Sequence, residues 1–294
     1  MSWHDLIGPV SRNPAPMGLA EWYAYIESRT FALPLEQAVF SGRTAATPGM
    51  AFLGGYQAAL RALWPQAPGG LGAFCATENR KLRPAEIDTL ARASQLSGGK
   101  DFVTAGPDAS WLLVTAREEE QGEPARLGIY ALQAGSSGIL REPGSPLPLI
   151  PDIPHARVRF EQAEGLRLPG DGWNDYVVPF RTFEDLYVLA ALSAWLYGLG
   201  LQQGWPEGVV LRLLAVISGA AEVARHLPRD PVGHVLLAAL IEQFDALQPD
   251  VNAALSEDEL LSNCWRRDRA LLGLAREAKA RRLQKAKAAL GLPA

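Results

Sequence analysis

Few residues of this chain have types and spacings that could do chemistry. There are four histidines, His4, His155, His226 and His234. None shows metal-ligand spacing. His226 and His234 lie eight apart across Pro228 and Pro231, so they do not share a helix face. Gly135-Ser136-Ser137-Gly138 reads as a turn, because it lacks the G-x-S-x-G form of a nucleophile elbow. There is no Walker loop and no G-x-G-x-x-G. Gly170-Asp171-Gly172 is a further turn, placed so that Trp173 stands near any ligand held between two regions of different periodicity. Glu184 and Asp185 fall in the first turn of an apolar helix, where acidic residues complement the helix dipole. Near the end, Arg276, Lys279, Arg281, Arg282, Lys285 and Lys287 surround Leu283 and Leu290. That pattern is a solvated helix face or a surface for an anionic partner.

Charge and composition narrow the classes. The 294 residues carry 28 Lys and Arg against 32 Asp and Glu, a net charge of -4. A dedicated nucleic-acid binder would show a basic excess, so no nucleic-acid partner is expected. With 48% hydrophobic and 20% charged residues, the chain supports a folded core rather than disorder. Cys75 and Cys264 make no disulfide framework and suit a reducing compartment. Asp5, Pro9, Arg12, Asn13 and Pro14 occupy the place of a secretory apolar region. The longest uncharged apolar run, Leu186 to Leu201, has sixteen residues. That is short of the roughly 20 that span a bilayer and suits a buried helix. The expected location is the cytoplasm, with no membrane span.

The elements that must position these residues fall into three segments. Residues 1–70 read as helical, with helices at Leu19–Ser28, Leu33–Phe40 and Ala51–Trp64. Residues 71–168 read as a β-sandwich or barrel. Strands are expected at Ala73–Glu78, Ile87–Gln95, Lys100–Thr104, Ser110–Ala116, Arg126–Leu132 and Ala156–Phe160, with a hairpin turn at Gly98-Gly99. Residues 169–294 read as a helical bundle. Its helices are expected from Thr182 to Leu199, from Pro206 toward Arg225, from Pro231 toward Leu247, after a capping box at Ser256–Glu259, and from Asp268 to Leu290. The fold class is α+β: N-terminal helices, a central antiparallel β domain and a C-terminal bundle.

Several strings in the middle segment carry a family resemblance. Phe74-Cys75-Ala76-Thr77-Glu78 and Gly99-Lys100-Asp101-Phe102-Val103-Thr104, then Ala109 to Arg117, resemble the middle domain of the acyl-CoA dehydrogenases. Phe180-Arg181-Thr182-Phe183-Glu184-Asp185-Leu186 resembles the start of that family's C-terminal bundle. The resemblance runs from about Leu71 to Leu199. It implies FAD as cofactor, an acyl-CoA or related thioester as substrate, oxidation of that thioester to its 2,3-enoyl product, an electron acceptor and a homo-oligomer. It places Thr104 at the flavin N5 region and Phe102, where the family usually has Trp, against the ring. Phe74, Ala76 and Thr77 fall on the strand lining the pyrimidine edge. Glu184 falls where some members carry the catalytic base, and burial there would raise its pKa toward a useful range.

The departures are equally specific. After Glu78 the family has a Gly- and Ser-rich loop, whereas this chain reads Asn79-Arg80-Lys81-Leu82-Arg83-Pro84. No glycine there lets backbone close on a phosphate, although the three cations offer charge instead. Arg267-Asp268 is not followed by a glutamate in the register of the family's tail base. The Gly-rich segment that contacts FAD across an interface is not apparent, and the head is about half the usual length. The alternative is therefore a non-catalytic relative, kept as a binding or scaffold module with a decayed flavin site. A third reading is an unrelated α+β protein, which a middle segment lacking an antiparallel β domain would support.

Overall fold

Apolar residues at helical spacing, with prolines where helices begin, build the head of the chain. The computed structural model describes residues 1–10, 18–78, 86–118 and 126–293. Helices α1 (Trp3–Ile7), α2 (Leu19–Glu27), α3 (Pro34–Thr44) and α4 (Pro48–Leu63) precede the first strand. Pro34 and Pro48 stand in first helical turns, where an N–H has no partner to lose. The Thr47 hydroxyl caps α4 by accepting from the Met50 N–H. The three expected helices are present, and α3 runs a turn further than its periodicity predicts.

Among the described residues eight strands follow: β1 (Gly72–Cys75), β2 (Leu90–Arg92), β3 (Gln95–Thr104), β4 (Trp111–Glu118), β5 (Arg126–Gln133), β6 (Ile139–Pro143), β7 (His155–Glu164) and β8 (Leu166–Arg167). They form one sheet in the order β6-β7-β3-β2-β4-β5-β8, with β1 also on β4. Most neighbours are antiparallel, as expected. Two are parallel: β1 and β2 lie along β4, β1 against Trp111 to Val114 and β2 against Arg117 and Glu118. The chain leaves the sheet between them, at Ala76, Thr77 and Glu78. The basic loop at 79–84 lies outside the described residues. Along β7, Ala156, Val158 and Phe160 are buried and Arg157 and Arg159 exposed, the alternation of a one-sided strand.

The hairpin turn is not at Gly98-Gly99. Ala93 and Ser94 make it, both at positive φ (45° and 69°), as a two-residue turn between twisted strands requires. Gly98 lies inside β3 at φ +142°, where a Cβ would stand 2.6 Å from the Thr89 Cα. The glycine admits a neighbouring backbone rather than turning the chain.

A π-helical turn, Gly172–Val177, leads into α5 (Val178–Gln203). The tail continues with α6 (Glu207–Val223), α7 (Pro231–Ala246), α8 (Gln248–Leu255), α9 (Glu259–Asp268), a 3₁₀ turn (Arg269–Gly273) and α10 (Arg276–Ala289). Pro206 is the N-cap of α6 rather than its first residue. Asp258, not Ser256, caps α9 by accepting from the Leu261 N–H at 3.0 Å. The expected last helix is cut at its start, because Asp268 closes α9 and Ala275 turns left-handed before α10.

The run from Leu186 to Gly200 in α5 is buried throughout, in one core shared by α3, α4 and α6. Close approach of these helices depends on glycine. A Cβ on Gly42 of α3 would sit inside the Ala191 carbonyl of α5, and one on Gly55 of α4 would stand 2.6 Å from the Tyr187 oxygen. The same core takes in Leu71, Trp111, Leu113 and Ile129, so one sheet face packs on helices. No helix among the described residues is long and apolar enough to cross a membrane.

Candidate functional site

The first turns of α5 meet α4 and β1 at an aromatic junction. The Tyr56 phenol accepts a hydrogen bond from the Phe74 N–H at 2.7 Å. Tyr56 meets Phe180 edge to face, with centroids 5.5 Å apart, and Phe74 packs on Phe180 at 4.6 Å. Burial raises the Tyr56 pKa well above its usual value, opposed first by the Phe74 N–H and more weakly by the nearby Thr104 side chain. Tyr56 therefore stays a neutral phenol between β1 and β3.

Thr104 ends β3 with its hydroxyl 3.4 Å from His155 Nε2. His155 Nδ1 lies 3.0 Å from the Ile153 carbonyl, which can only accept, so Nδ1 carries the proton. Burial lowers the His155 pKa and keeps the ring neutral. Nε2 is then the acceptor and the Thr104 hydroxyl the donor.

Glu184 stands one turn beyond Phe180 on α5. Burial, with the like charge of Asp185, raises its pKa to about 7, against the opposing pull of Lys279, Arg181 and Arg282. Its charge is also felt at Tyr56, which places it within electrostatic reach of the Tyr56–Thr104 pair. The cations arrive from two elements. Arg181 belongs to α5 and lies over the Trp173 ring, 5.4 Å from its centroid. Lys279 and Arg282 come from α10 and share Asp185, Lys279 at 3.1 Å. Arg282 also donates to the Thr182 hydroxyl at 3.1 Å. The basic terminal helix is thus pinned across the start of α5 rather than left as a solvated face.

The flavin-contact residues expected from the resemblance occupy different settings. Ala76 is buried, while Phe74 and Thr77 are half-buried. The Thr77 carbonyl accepts from the Asp101 N–H at 2.9 Å and so ties the end of β1 to β3. Phe102 sits where the β3–β7 register slips, at φ 54°, and is 39% exposed. It lines a pocket of about 490 Å³ with Ser145 to Pro148 and Arg157. Between Thr77 and Phe102, Lys100 is buried against Glu78 and donates to the Thr115 hydroxyl at 3.0 Å. Glu78 accepts from the Asp88 N–H at 2.6 Å. This pair holds the end of β1, β3 and β4 together.

Phe74 and Thr104 therefore meet at the Tyr56 junction, Glu184 lies within electrostatic reach of it, Thr77 is tied to β3 through the backbone, and Phe102 faces outward beside it. Tyr56, His155, Trp173, Lys279 and Arg282 complete it. Among the described residues no cluster of His, Cys, Asp and Glu could hold a metal ion.

Helical head, curled mixed sheet and helical tail, joined through this junction, define the acyl-CoA dehydrogenase fold. The structure of PigA with FAD and proline superposes with a TM-score of 0.66 over 93% of this chain and 90% of that one, at 12% identity. A structure described as an FAD-dependent dehydrogenase gives 0.66 over 92% of each chain, at 15% identity. Butyryl-CoA dehydrogenase from Megasphaera elsdenii gives 0.60 over 92% and 87%, at 12% identity. No protein-family model matches the chain, and no curated protein sequence does. The resemblance read from the middle segment holds at the level of the fold, and the third reading, an unrelated fold, falls.

Proposed function

We propose that this chain is an FAD-binding protein of acyl-CoA dehydrogenase type that takes a proton from an acyl-CoA or related thioester. The observation that supports this reading is Glu184, a carboxyl one turn beyond Phe180 on α5 whose pKa burial raises to about 7, within electrostatic reach of Tyr56. The residues present fit the ring of a flavin. Phe102 offers an exposed aromatic face, and Thr77 and Thr104 offer half-buried hydroxyls at its edge, with Phe74 and Ala76 on the strand behind. When bound, FAD supplies the hydride acceptor.

The protein's own part is acid–base and electrostatic. Near pH 7 about half of Glu184 is ionised, so it can accept a proton α to a thioester carbonyl and release it again. Arg181, Lys279 and Arg282 stabilise the ionised form, and Asp185 and the aromatic walls oppose it. Phe74, Phe180 and Tyr56 keep water from the side of the site facing the helices. An electron acceptor, self-association and a cytoplasmic location belong to the same proposal.

A second reading has its own support. The Phe74 ring rests on Phe180 and fills space between β1 and α5. A non-catalytic binding or scaffold protein on the same fold would carry such a plug.

The visible absorption spectrum of the purified protein, before and after adding FAD, separates the two. Flavin bands that travel with the protein, bleached anaerobically by an acyl-CoA and not bleached in Glu184→Gln, are the expected result. A colourless protein that takes up no FAD overturns the first reading and leaves the second.

A further inference from the structure

Arg181 stands apart from the other cations around Glu184. Lys279 and Arg282 both spend their charge on Asp185, and Arg282 also bonds Thr182. Arg181 has no ion pair and no hydrogen bond among the described residues. It stands over the Trp173 indole, 5.4 Å from the ring centroid. Trp173 belongs to the π-helical turn before α5 and packs, like Phe74, against Ile87, Leu127 and Val177. Such turns occur often at functional sites. A guanidinium over an aromatic ring, here 5.4 Å from its centroid, uses none of its N–H donors in that contact.

The charges around it do not balance. Among the described residues, those facing this corner are Arg181, Glu184 and Asp185 from α5, Lys279 and Arg282 from α10, His234 from α7 and the Tyr56 phenol from α4. Burial and Arg282 lower the His234 pKa, and Tyr56 stays neutral, so neither adds charge. Among the described residues three cations therefore meet two carboxylates, Asp185 and Glu184, and burial raises the Glu184 pKa to about 7. Burial and the nearby Arg282 both weigh against the charge on Arg181. An anion at this corner would relieve both.

The geometry points to Arg181, laid on the Trp173 indole one helical turn before Glu184, as the binding residue for an anionic oxygen group, carboxylate or phosphate, on the molecule that Glu184 meets. The inference rests on the proposed function only in placing Glu184 in the substrate site. Anion binding itself requires neither flavin nor turnover. Two N–H groups of the fork meet two oxygens of either anion in parallel, which an ammonium cannot do. Substrates carrying a free carboxylate or a phosphate near the reacting carbon would be favoured over neutral ones of the same length.

The test is calorimetric titration of the full chain with glutarate, with inorganic phosphate, and with propionamide as a neutral control. One or both anions are expected to bind and propionamide is not. Binding of glutarate alone identifies a carboxylate site, and binding of phosphate alone a phosphate site. Arg181→Gln should weaken the bound anion at least about 10-fold, because a charge-assisted bidentate pair is lost. Arg181→Lys should fall between Arg181→Gln and the parent. Trp173→Phe should weaken binding about 3-fold by removing the better cation–π platform. Arg225→Gln, an exposed cation paired with Glu222, should change nothing. Circular dichroism of each variant establishes that it is folded, and Arg181→Lys carries the test if Arg181→Gln is not. The inference is overturned if neither anion binds the parent, or if folded Arg181→Gln and Arg181→Lys bind like the parent. Flavin content, measured on the same samples, reports separately on the proposed function.

Discussion

The hydroxyl of Tyr56, on the last helix of the head, accepts the backbone N–H of Phe74, the third residue of β1. One phenol thereby joins the helical head to the strand that leads to Ala76 and Thr77. It also replaces the water that the Phe74 N–H loses on burial. Tyr56→Phe leaves that donor unpaired and should destabilise the protein by about 1–3 kcal/mol in urea unfolding. A change below about 0.5 kcal/mol would mean that the N–H finds another partner.

Glu184 gives stability a defined pH dependence. Its folded pKa, about 7, lies above the usual 4.5. The folded state therefore binds the proton more tightly, and the associated stability is present below pH 4.5 and lost as pH rises through 7. Burial of the group is incomplete, so the amplitude is on the order of 2 kcal/mol, less than the full shift implies. Glu184→Gln removes this dependence. Between pH 5 and pH 8 the variant should gain on the parent in thermal denaturation. Parallel curves across that range would show that Glu184 is not held protonated.

The Glu78–Lys100 pair makes a different prediction. Both side chains are almost fully withdrawn from solvent. Glu78→Gln leaves the Lys100 ammonium buried without its counter-charge and should cost about 3–5 kcal/mol. The double change Glu78→Gln with Lys100→Met should recover part of that loss, measured as a coupling energy. Simple additivity of the two changes would contradict the pairing.

Gly42→Ala places a methyl group inside the Ala191 carbonyl on the facing helix. Backbone cannot yield there as a flexible side chain would. The substitution should destabilise by about 3 kcal/mol, the upper part of the range for overpacking. Gly18→Ala, where a Cβ meets nothing within 4 Å, is the control.

Legibility in the sequence followed the strength of local signals. The α5 helix was plain because its apolar run is continuous, and β7 because Val158 and Phe160 alternate with Arg157 and Arg159. The hairpin was misplaced because Gly98-Gly99 carries the ordinary turn signature, whereas Ala93 and Ser94 turn the chain against their own preference. β6 was hidden because four of its five residues are exposed and no alternation marks it. In the site, the motif strings pointed to Thr104 and Glu184, which do lie near one phenol. Tyr56 itself read as one more apolar position of its helix. Lys279 and Arg282 read as a solvated face, because Asp185, the acid that holds them, lies 94 and 97 residues away. No local pattern encodes such a pairing.

The segment between β6 and β7 is fastened, at Ile150 and Asp152, to elements far from it on both sides in the sequence. Asp152 receives the Thr47 hydroxyl from 105 residues upstream, and the Ile150 N–H donates at 2.7 Å to Asp268, 118 residues downstream. Contacts of such sequence separation form late, because long loops must close before they are rewarded. During synthesis, α3 and α4 wait with their apolar faces uncovered until α5, more than a hundred residues on, has been made. A nascent chain of this protein therefore passes through a long aggregation-prone interval, and its yield should depend on chaperone supply more than its finished stability suggests.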